Sequence, residues 1–191
     1  DTYQEIKTPL IMHEDLWHTS GHYQNYKENM YFTQIDEQTH CVRPMNCPSG
    51  ILVYKNGLHS YRQLPLRMAE FGLVHRYELS GVLHGLFRVR TFTQDDAHVF
   101  CLPEQIESEV IAMLEMAQAI YKKFNFTNVR MALATRPEKA IGDDAQWDVA
   151  IKALADAMDK VGIEYTVEDG EGAFYGPKID LYIKDAMDRE W

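Results

Sequence analysis

Apolar residues recur at helical spacing in two long segments of the second half of the chain. In the first, residues 104–124, three- or four-residue steps separate Ile106, Val110, Leu114, Ala117 and Tyr121. In the second, residues 143–161, one stripe contains Trp147, Ile151, Leu154 and Met158, and Gly162 follows as a stop signal. The pattern therefore predicts two amphipathic helices. A shorter helix is predicted to open at residues 51–56, and residues 13–26 are helical or loop-like.

Short apolar or alternating segments predict strands on both sides of these helices. The predicted strands are residues 30–35, 39–44, 73–78, 89–100, 129–135, 164–168 and 178–184. Residues 3–12 form an extended segment broken by Pro9, and residues 45–50 have turn composition. Grouped hairpin-like strands followed by helices indicate an α+β fold with a mainly antiparallel sheet. No repeat or Pro/Gly/Ser-rich linker marks an internal domain boundary.

One stretch of strand-like sequence carries polar side chains where a core would need apolar ones. Arg76 and Glu78 are two positions apart, and after a Gly-punctuated loop the chemistry-bearing residues again take every second position, at Phe92, Gln94, Asp96 and His98. Side chains two apart on a strand share a face. If the two strands pair, these side chains cover one surface, which we interpret as the floor of a binding site.

Composition and charge exclude several classes of protein. The chain has 191 residues, 46% of them hydrophobic, and 29 acidic against 19 basic side chains give a net charge of −10. That balance argues against a generally basic nucleic-acid-binding surface, although it allows a local basic cleft. No apolar run reaches the length of about 18 residues that a membrane span needs, and no signal peptide is visible. An odd number of cysteines, Cys41, Cys47 and Cys101, indicates a reducing cytoplasm. The abrupt start and end of the pattern predict a piece of a larger protein.

Taken singly, the candidate residues have ordinary interpretations. Cys47 and His98 could ligate zinc, but without a CxxC or HxxxH spacing a structural role is favoured. Asp95 and Asp96 would face opposite sides of a strand, so only one of them can serve a site. Cys101 is predicted to be a buried small apolar residue. The glycine-rich residues 169–178 match neither phosphate-binding motif and predict a hairpin turn. Surface or core positions are expected for His13, His18, His40 and His59.

Taken together, several segments resemble class II aminoacyl-tRNA synthetases, and most specifically the threonyl-tRNA synthetase family. The matching segments occur in order along essentially the whole chain, at residues 8–12, 17–22, 43–48, 64–72, 73–100, 134–138 and 171–178. The resemblance implies an antiparallel sheet flanked by helices. It also implies an enzyme that activates threonine with ATP and Mg²⁺ and transfers it to tRNA(Thr).

The resemblance implies roles for five residues around ATP and tRNA. Arg76 would contact the α-phosphate of ATP, where an always-charged planar guanidinium stabilises charge that develops at phosphorus. Glu78 would accept a hydrogen bond from the adenine amino group, Phe92 would stack on adenine, and Arg88 would contact the phosphate tail. His22 is similar to a histidine near the terminal ribose of tRNA, where it would assist proton movement during transfer.

The resemblance also implies a zinc-assisted threonine site. Cys47 and His98 match two of three zinc ligands, and the zinc would bind the amino group and hydroxyl of threonine together. Asp96 would orient the hydroxyl, while Gln94 and Tyr175 would frame the amino acid. A site built around a hydroxyl rejects valine, which lacks one, far better than an apolar pocket does.

The chain also departs from the family pattern. The third zinc ligand, a histidine, and the third motif with its second ATP-binding arginine would lie downstream of residue 191, and the editing and anticodon-binding domains are outside the chain. Gly50 stands where many members carry a histidine. Residues 1–191 are therefore expected to be a partial catalytic (aminoacylation) domain of a cytoplasmic protein that dimerises near Pro9. The alternative is a non-catalytic module that binds nucleotide or dimerises, or an inactive fragment. Cys47 and His98 disfavour a glycyl-, seryl- or prolyl-type relative.

Overall fold

The computed structural model describes residues 3–126 and 128–191, which divide into two compact units. The first unit ends at Cys101, and the second runs from Leu102 to Trp191. The junction has no Pro/Gly/Ser-rich linker, and the assignment of the chain to a single partial catalytic domain stays a prediction. Among the described residues, no helix combines the length and apolar character needed to cross a membrane.

From residue 3 onward, the first unit contains two three-stranded sheets and three α-helices. One sheet has the order β1-β5-β6, with strands Tyr3–Glu5, Leu66–His75 and Thr91–Phe100. The other has the order β2-β4-β3, with β2 at Ile11–His13, β3 at Tyr31–Ile35 and β4 at Gln38–Val42. The helices are α1 (Glu14–Thr19), α2 (His22–Tyr26) and α3 (Cys47–Lys55). Three single 3₁₀ turns cover Lys27–Asn29, Tyr61–Gln63 and Ser80–Val82.

The long antiparallel pair β5–β6 organises the first unit. Its register sets Glu70 opposite Asp96 and Gly72 opposite Gln94. Along β6 the exposed and partly buried residues alternate, so the predicted shared face of Phe92, Gln94, Asp96 and His98 is confirmed. Asp95 belongs to the opposite, exposed face.

The strand predicted at residues 73–78 is wrong in its bounds. β5 begins at Leu66 and ends at His75, so Arg76 and Glu78 follow the strand rather than lying within it. The ladder ends because the chain bends: the Tyr77 amide donates to the Asn29 carbonyl, and the Glu78 amide donates to the Arg76 carbonyl. The two side chains therefore owe their placement to this bend and not to strand alternation.

The turn predicted at residues 45–50 is also wrong, because α3 already begins at Cys47. Pro48 is compatible with this early start, since a proline lacks only an amide that the first helical turn leaves unpaired anyway. The start of the helix places Cys47 at its N-terminal end.

A buried ion pair joins three segments of the first unit. Arg43 Nη1 donates to Glu70 Oε1 at 3.0 Å, and both side chains are at least 94% buried. Arg43 Nε donates to the Leu73 carbonyl at 2.8 Å, and Nη1 also donates to the Thr8 hydroxyl. The Thr8 amide in turn donates to Glu70 Oε1 at 2.9 Å. The network holds the segment before β2 against the middle of β5.

The second unit packs two helices on a three-stranded sheet. Helix α4 spans Ile106–Lys123 after a 3₁₀ turn at Pro103–Gln105, and α5 spans Asp144–Val161. The strands are β7 (Arg130–Ala134), β8 (Tyr165–Glu168) and β9 (Lys178–Tyr182). Leu114, Met131, Leu133 and Met158 form the core. Both predicted helices are confirmed, and α5 ends at Gly162 with φ 73°.

The hairpin predicted for the glycine-rich residues 169–178 is wrong. The sheet order is β8-β7-β9, so the strands on either side of this loop do not pair with each other. The loop instead crosses the end of β7, where the Gly172 amide donates to the Thr135 carbonyl at 2.7 Å. Four pairings, β2–β4, β3–β4, β5–β6 and β7–β9, are antiparallel, whereas β1–β5 and β7–β8 are parallel. The α+β class is confirmed.

Candidate active site

A cavity of about 360 Å³ in the first unit is lined by all four residues predicted to contact ATP. These are Arg76, Glu78, Arg88 and Phe92, and the loop between β5 and β6 completes the lining with Leu86, Phe87 and Val89. Ligand pockets for small molecules commonly have volumes of roughly 300–1,000 Å³. The cavity therefore has the size and the mixture of aromatic and charged groups that a nucleotide base and phosphates require.

Two contacts fix the Arg76 guanidinium at the wall of this cavity. Its Nε donates to the Pro44 carbonyl at 3.2 Å, and its Cζ lies 5.1 Å from the centroid of the Phe92 ring. A guanidinium over an aromatic face gains from the negative charge of the ring face. The bend after β5 and the face of β6 thus converge on one cation–aromatic pair.

Glu78 and Arg88 contact each other across the same cavity. The Glu78 carboxylate is buried, and its Oε2 accepts from Arg88 Nη2 at 3.1 Å and from Nε at 3.3 Å. The Arg88 side chain is 55% exposed. Because the Arg88 guanidinium is open to solvent, screening weakens this salt bridge, and ligand groups can compete for either partner.

Three potential metal ligands come together beside the N-terminus of α3. The Cys47 sulfur, an Asp96 carboxylate oxygen and an imidazole nitrogen of His98 lie within 4.8 Å of one another. Burial, with the Asp96 charge adding to it, raises the pKa of the Cys47 thiol to about 11. Sulfur, imidazole and carboxylate donors are the set that zinc prefers, so these residues fit a zinc site. The isolated interpretation of Cys47 and His98 as unrelated structural residues is not supported by this proximity.

Gly50 faces the candidate ligand His98 directly. A Cβ at position 50 would lie 3.4 Å from His98 Nδ1, which is ordinary van der Waals contact. Position 50, at which many members of the family carry a histidine, is therefore next to the His98 imidazole.

Asn46 links two residues on the face of β6, a role that the sequence analysis did not predict. Its side chain is buried, and Nδ2 donates to Asp96 Oδ2 at 2.9 Å and to Gln94 Oε1 at 3.3 Å. The residue lies in a segment that we interpreted as a turn and as one of the family-matching segments, with no role assigned to Asn46 itself. Its contacts span about fifty residues of sequence, beyond the reach of any local periodicity.

His22, predicted to act near the tRNA terminus, is buried in the first unit. Its Nδ1 lies 2.8 Å from Ser20 Oγ, its Nε2 lies 3.1 Å from Met45 Sδ, and its ring meets that of Trp17 edge-on. Burial lowers the pKa of His22, and a hydrogen bond with the Ser20 backbone opposes this in part. The ring is consequently neutral at neutral pH.

Tyr175 and Cys101 complete the predicted positions. Tyr175 belongs to the second unit, where it is half-exposed and its ring meets that of Phe174 edge-on at 5.0 Å. Its predicted place beside Gln94 and Asp96 stays a prediction. Cys101 follows the last residue of β6 and is partly exposed, so its assignment as a buried residue is wrong.

The fold and the sequence together define the class. Residues 31–191 match the profile of the tRNA synthetase class II core domain (G, H, P, S and T), and the chain belongs to this family. Among its relatives, the threonine--tRNA ligases of Finegoldia magna and Acetivibrio thermocellus are 59% and 58% identical to it over 189 residues. The resemblance to threonyl-tRNA synthetases that the sequence motifs indicated is confirmed.

Solved structures agree with this assignment. A structure described as the RNA binding domain of threonyl-tRNA synthetase from Cryptosporidium parvum superposes with a TM-score of 0.89 at 47% identity, covering 99% of this chain and 47% of that one. A putative threonyl-tRNA synthetase from Aeropyrum pernix gives a TM-score of 0.88 at 33% identity, with 99% and 45% coverage. The chain spans 30% of the length of the two curated relatives named above, although the matches cover 99% of the chain.

Proposed function

We propose that this chain is part of the catalytic domain of a threonine--tRNA ligase, which activates threonine with ATP and transfers it to tRNA(Thr). The observation that carries the proposal is the convergence around one cavity of Arg76, Glu78, Arg88 and Phe92. The same face of β6 continues from Phe92 to Asp96 and His98, which lie next to Cys47. A cavity suited to a nucleotide therefore lies beside a polar site suited to a hydroxyl group, and Phe92 and Asp96 of β6 belong to one each. This arrangement matches a reaction in which threonine attacks ATP.

Arg76 would stabilise the transition state of activation. In this reaction the threonine carboxylate attacks the α-phosphorus, the bond from that phosphorus to the bridging oxygen breaks, and pyrophosphate leaves with the bonding electrons. Negative charge builds on the phosphoryl oxygens as this happens. A guanidinium held by Pro44 and Phe92 is already oriented when that charge develops, which is the condition for electrostatic catalysis. Glu78 would accept from the adenine amino group, and Arg88 would contact the phosphates with their Mg²⁺. Both roles require the Glu78–Arg88 ion pair to give way to ligand contacts.

Cys47 and His98 would hold zinc, with a third ligand outside this chain. When bound, zinc would supply a Lewis-acid contact to the amino group and hydroxyl of threonine. Asp96 would accept from that hydroxyl, Gln94 and Tyr175 would frame the amino acid, and His22 would act at the terminal ribose of the tRNA. We also propose that the full-length protein is a cytoplasmic homodimer.

Amino-acid-dependent ATP–pyrophosphate exchange by the full-length protein tests this function. Threonine should support exchange, serine should support it more weakly, and valine should be refused by about 10⁴-fold because it offers no hydroxyl to a site built for one. Asp96→Ala should remove the preference for threonine over valine. Asp95→Ala is the matched control, since Asp95 lies on the opposite, exposed face of the same strand and should leave the preference intact.

Three results would contradict the proposal. Strong valine activation by the unmutated protein would remove the hydroxyl-recognition role. Equal effects of the Asp95 and Asp96 substitutions would show that the assigned face is wrong. Nucleotide binding without exchange for any amino acid would favour the non-catalytic alternative, which the identity to threonine--tRNA ligases currently disfavours.

A further inference from the structure

Asn46 occupies the N-cap position of α3 but does not cap the helix. Asparagine is among the best N-cap residues because its side chain can accept from an unpaired amide of the first turn. Here the side chain makes no capping bond, although it is buried. Its Nδ2 instead donates across to Asp96 and Gln94 on β6. The Asn46 side chain therefore contacts a distant strand instead of capping its own helix.

Gly72 provides the space in which the Asn46 amide lies. A Cβ at position 72 would come within 2.2 Å of Asn46 Oδ1 and 2.4 Å of Nδ2, which no side chain can do without displacing the amide. Gly72 is opposite Gln94 in the β5–β6 register, and Asp96 is its diagonal neighbour. The missing side chain in β5 is thus the reason that one amide reaches two residues of β6.

The orientation of the amide follows from the charges around it. Asp96 is directly opposite Glu70, and two carboxylates in such a pair repel each other unless each has its own donor. Glu70 is neutralised by Arg43, and Asp96 receives the Asn46 N–H. Reversing the amide would set its oxygen against the Asp96 carboxylate. The Asn46 oxygen has no hydrogen-bond partner among the described residues, so only its NH₂ end is used.

We propose that Asn46, seated on Gly72, is a positioning residue that determines the specificity of the amino-acid site. Its N–H holds one oxygen of Asp96, which fixes the carboxylate as an acceptor for a substrate hydroxyl and keeps it from turning toward Cys47 and His98 as a metal ligand. By donating to Gln94 Oε1, it also directs the Nε2 end of that amide away from itself, as a donor for a substrate carboxylate. The inference rests on the proposed function.

The first test compares two substitutions of Asn46 in the full-length protein. Asn46→Ala removes the amide, and Asn46→Asp keeps its size but replaces the donor with an acceptor. Both should lower kcat/KM for threonine by about 10- to 100-fold, the usual effect of losing a hydrogen bond to a charged group. The preference for threonine over valine should fall, while the KM for ATP and the zinc content should stay unchanged. A merely structural role would not separate the two substrates in this way.

The second test uses the contact with Gly72. Gly72→Ala should displace Asn46, so it should reproduce the loss of preference and also lower the midpoint of urea unfolding. In the double variant Asn46→Ala/Gly72→Ala the new methyl group enters vacated space. Its unfolding midpoint should therefore return to that of Asn46→Ala alone, although the preference for threonine remains low.

Four outcomes would overturn the inference: unchanged threonine kinetics in Asn46→Ala, unaffected kinetics in Asn46→Asp, loss of zinc from either variant, or additive destabilisation in the double variant. An unmutated protein without threonine-dependent exchange would overturn the proposed function and, with it, the specificity role. The unfolding midpoints would still decide whether Asn46 is packed on Gly72, so the two failures are distinguishable.

Discussion

Neutralising Glu70 should destabilise the first unit more than any surface substitution of the same kind. In Glu70→Gln the shape is kept, and the amide oxygen can still accept from Arg43 or Thr8. The charge is lost, however, and leaves the Arg43 guanidinium, whose side chain is only 4% exposed, without a counter-charge. Removing one partner of a buried ion pair lowers the free energy of unfolding by about 3–5 kcal/mol. Because the glutamine keeps an acceptor, we expect a loss of about 3 kcal/mol for this variant. With a urea dependence of about 1–3 kcal/mol/M, the unfolding midpoint should fall by about 1–3 M.

Trp17 provides a probe that reports on the correct unit. It is fully buried with Met30 and Cys41 in the first unit, whereas Trp147 and Trp191 belong to the second. Urea unfolding followed by Trp17 fluorescence, in a background where the other two tryptophans are phenylalanine, therefore isolates the effect.

Asp95→Asn is the matched control for this measurement, because it makes the same carboxylate-to-amide change at an exposed position of the same sheet. It should change the unfolding free energy by less than about 0.5 kcal/mol. The double variant Arg43→Met/Glu70→Met should be more stable than Glu70→Gln, since it removes the buried charge as well. A Glu70→Gln variant no less stable than Asp95→Asn would refute the reasoning.

Three further outcomes are expected. Arg76→Ala should lower threonine-dependent exchange by about 10²- to 10³-fold, the loss typical of an oxyanion donor, and exchange equal to that of the unmutated protein would remove Arg76 from the mechanism. The 191-residue chain alone should bind zinc weakly or not at all, because Asn46 holds the Asp96 carboxylate, which leaves Cys47 and His98 as two ligands where zinc sites need about three or four. Tight stoichiometric zinc after dialysis, retained in both Cys47→Ala and His98→Ala, would contradict that assignment. For His22, burial lowers the folded-state pKa below the ordinary value of 6.5, so below pH 6.5 the unfolded chain takes up a proton that the folded chain does not. Stability should therefore fall as the pH drops below about 6.5, and His22→Gln should reduce that slope; an unchanged slope would show that the ring is not held neutral.

Local periodicity predicted what depends on neighbouring positions. The alternation at Phe92, Gln94, Asp96 and His98 predicted the face that these residues share on β6, and three- and four-residue spacing predicted both long helices. These features need only the geometry of one strand or one helix. Their bounds in the structure differ by a few residues from those predicted.

Features that depend on distant contacts were not predictable in this way. The bend that places Arg76 and Glu78 is held by the Asn29 carbonyl, nearly fifty residues away, and strand alternation gave the wrong reason for their proximity. Local patterns likewise do not predict that β7 pairs with both β8 and β9 and lies between them. Asn46 is the clearest case, since its residue type and position are typical of a turn or a helix cap, yet its side chain donates to Asp96 on β6.

The regular backbone of β6 also fixes the distances between the side chains on one of its faces. Successive side chains on one face of an antiparallel strand are about 6.8 Å apart, so the distance from Phe92 to His98 is about 20 Å and is set by the backbone alone. Deleting or inserting one residue between Phe92 and His98 would turn every side chain on one side of the change to the opposite face, so the length of this segment is constrained independently of its composition.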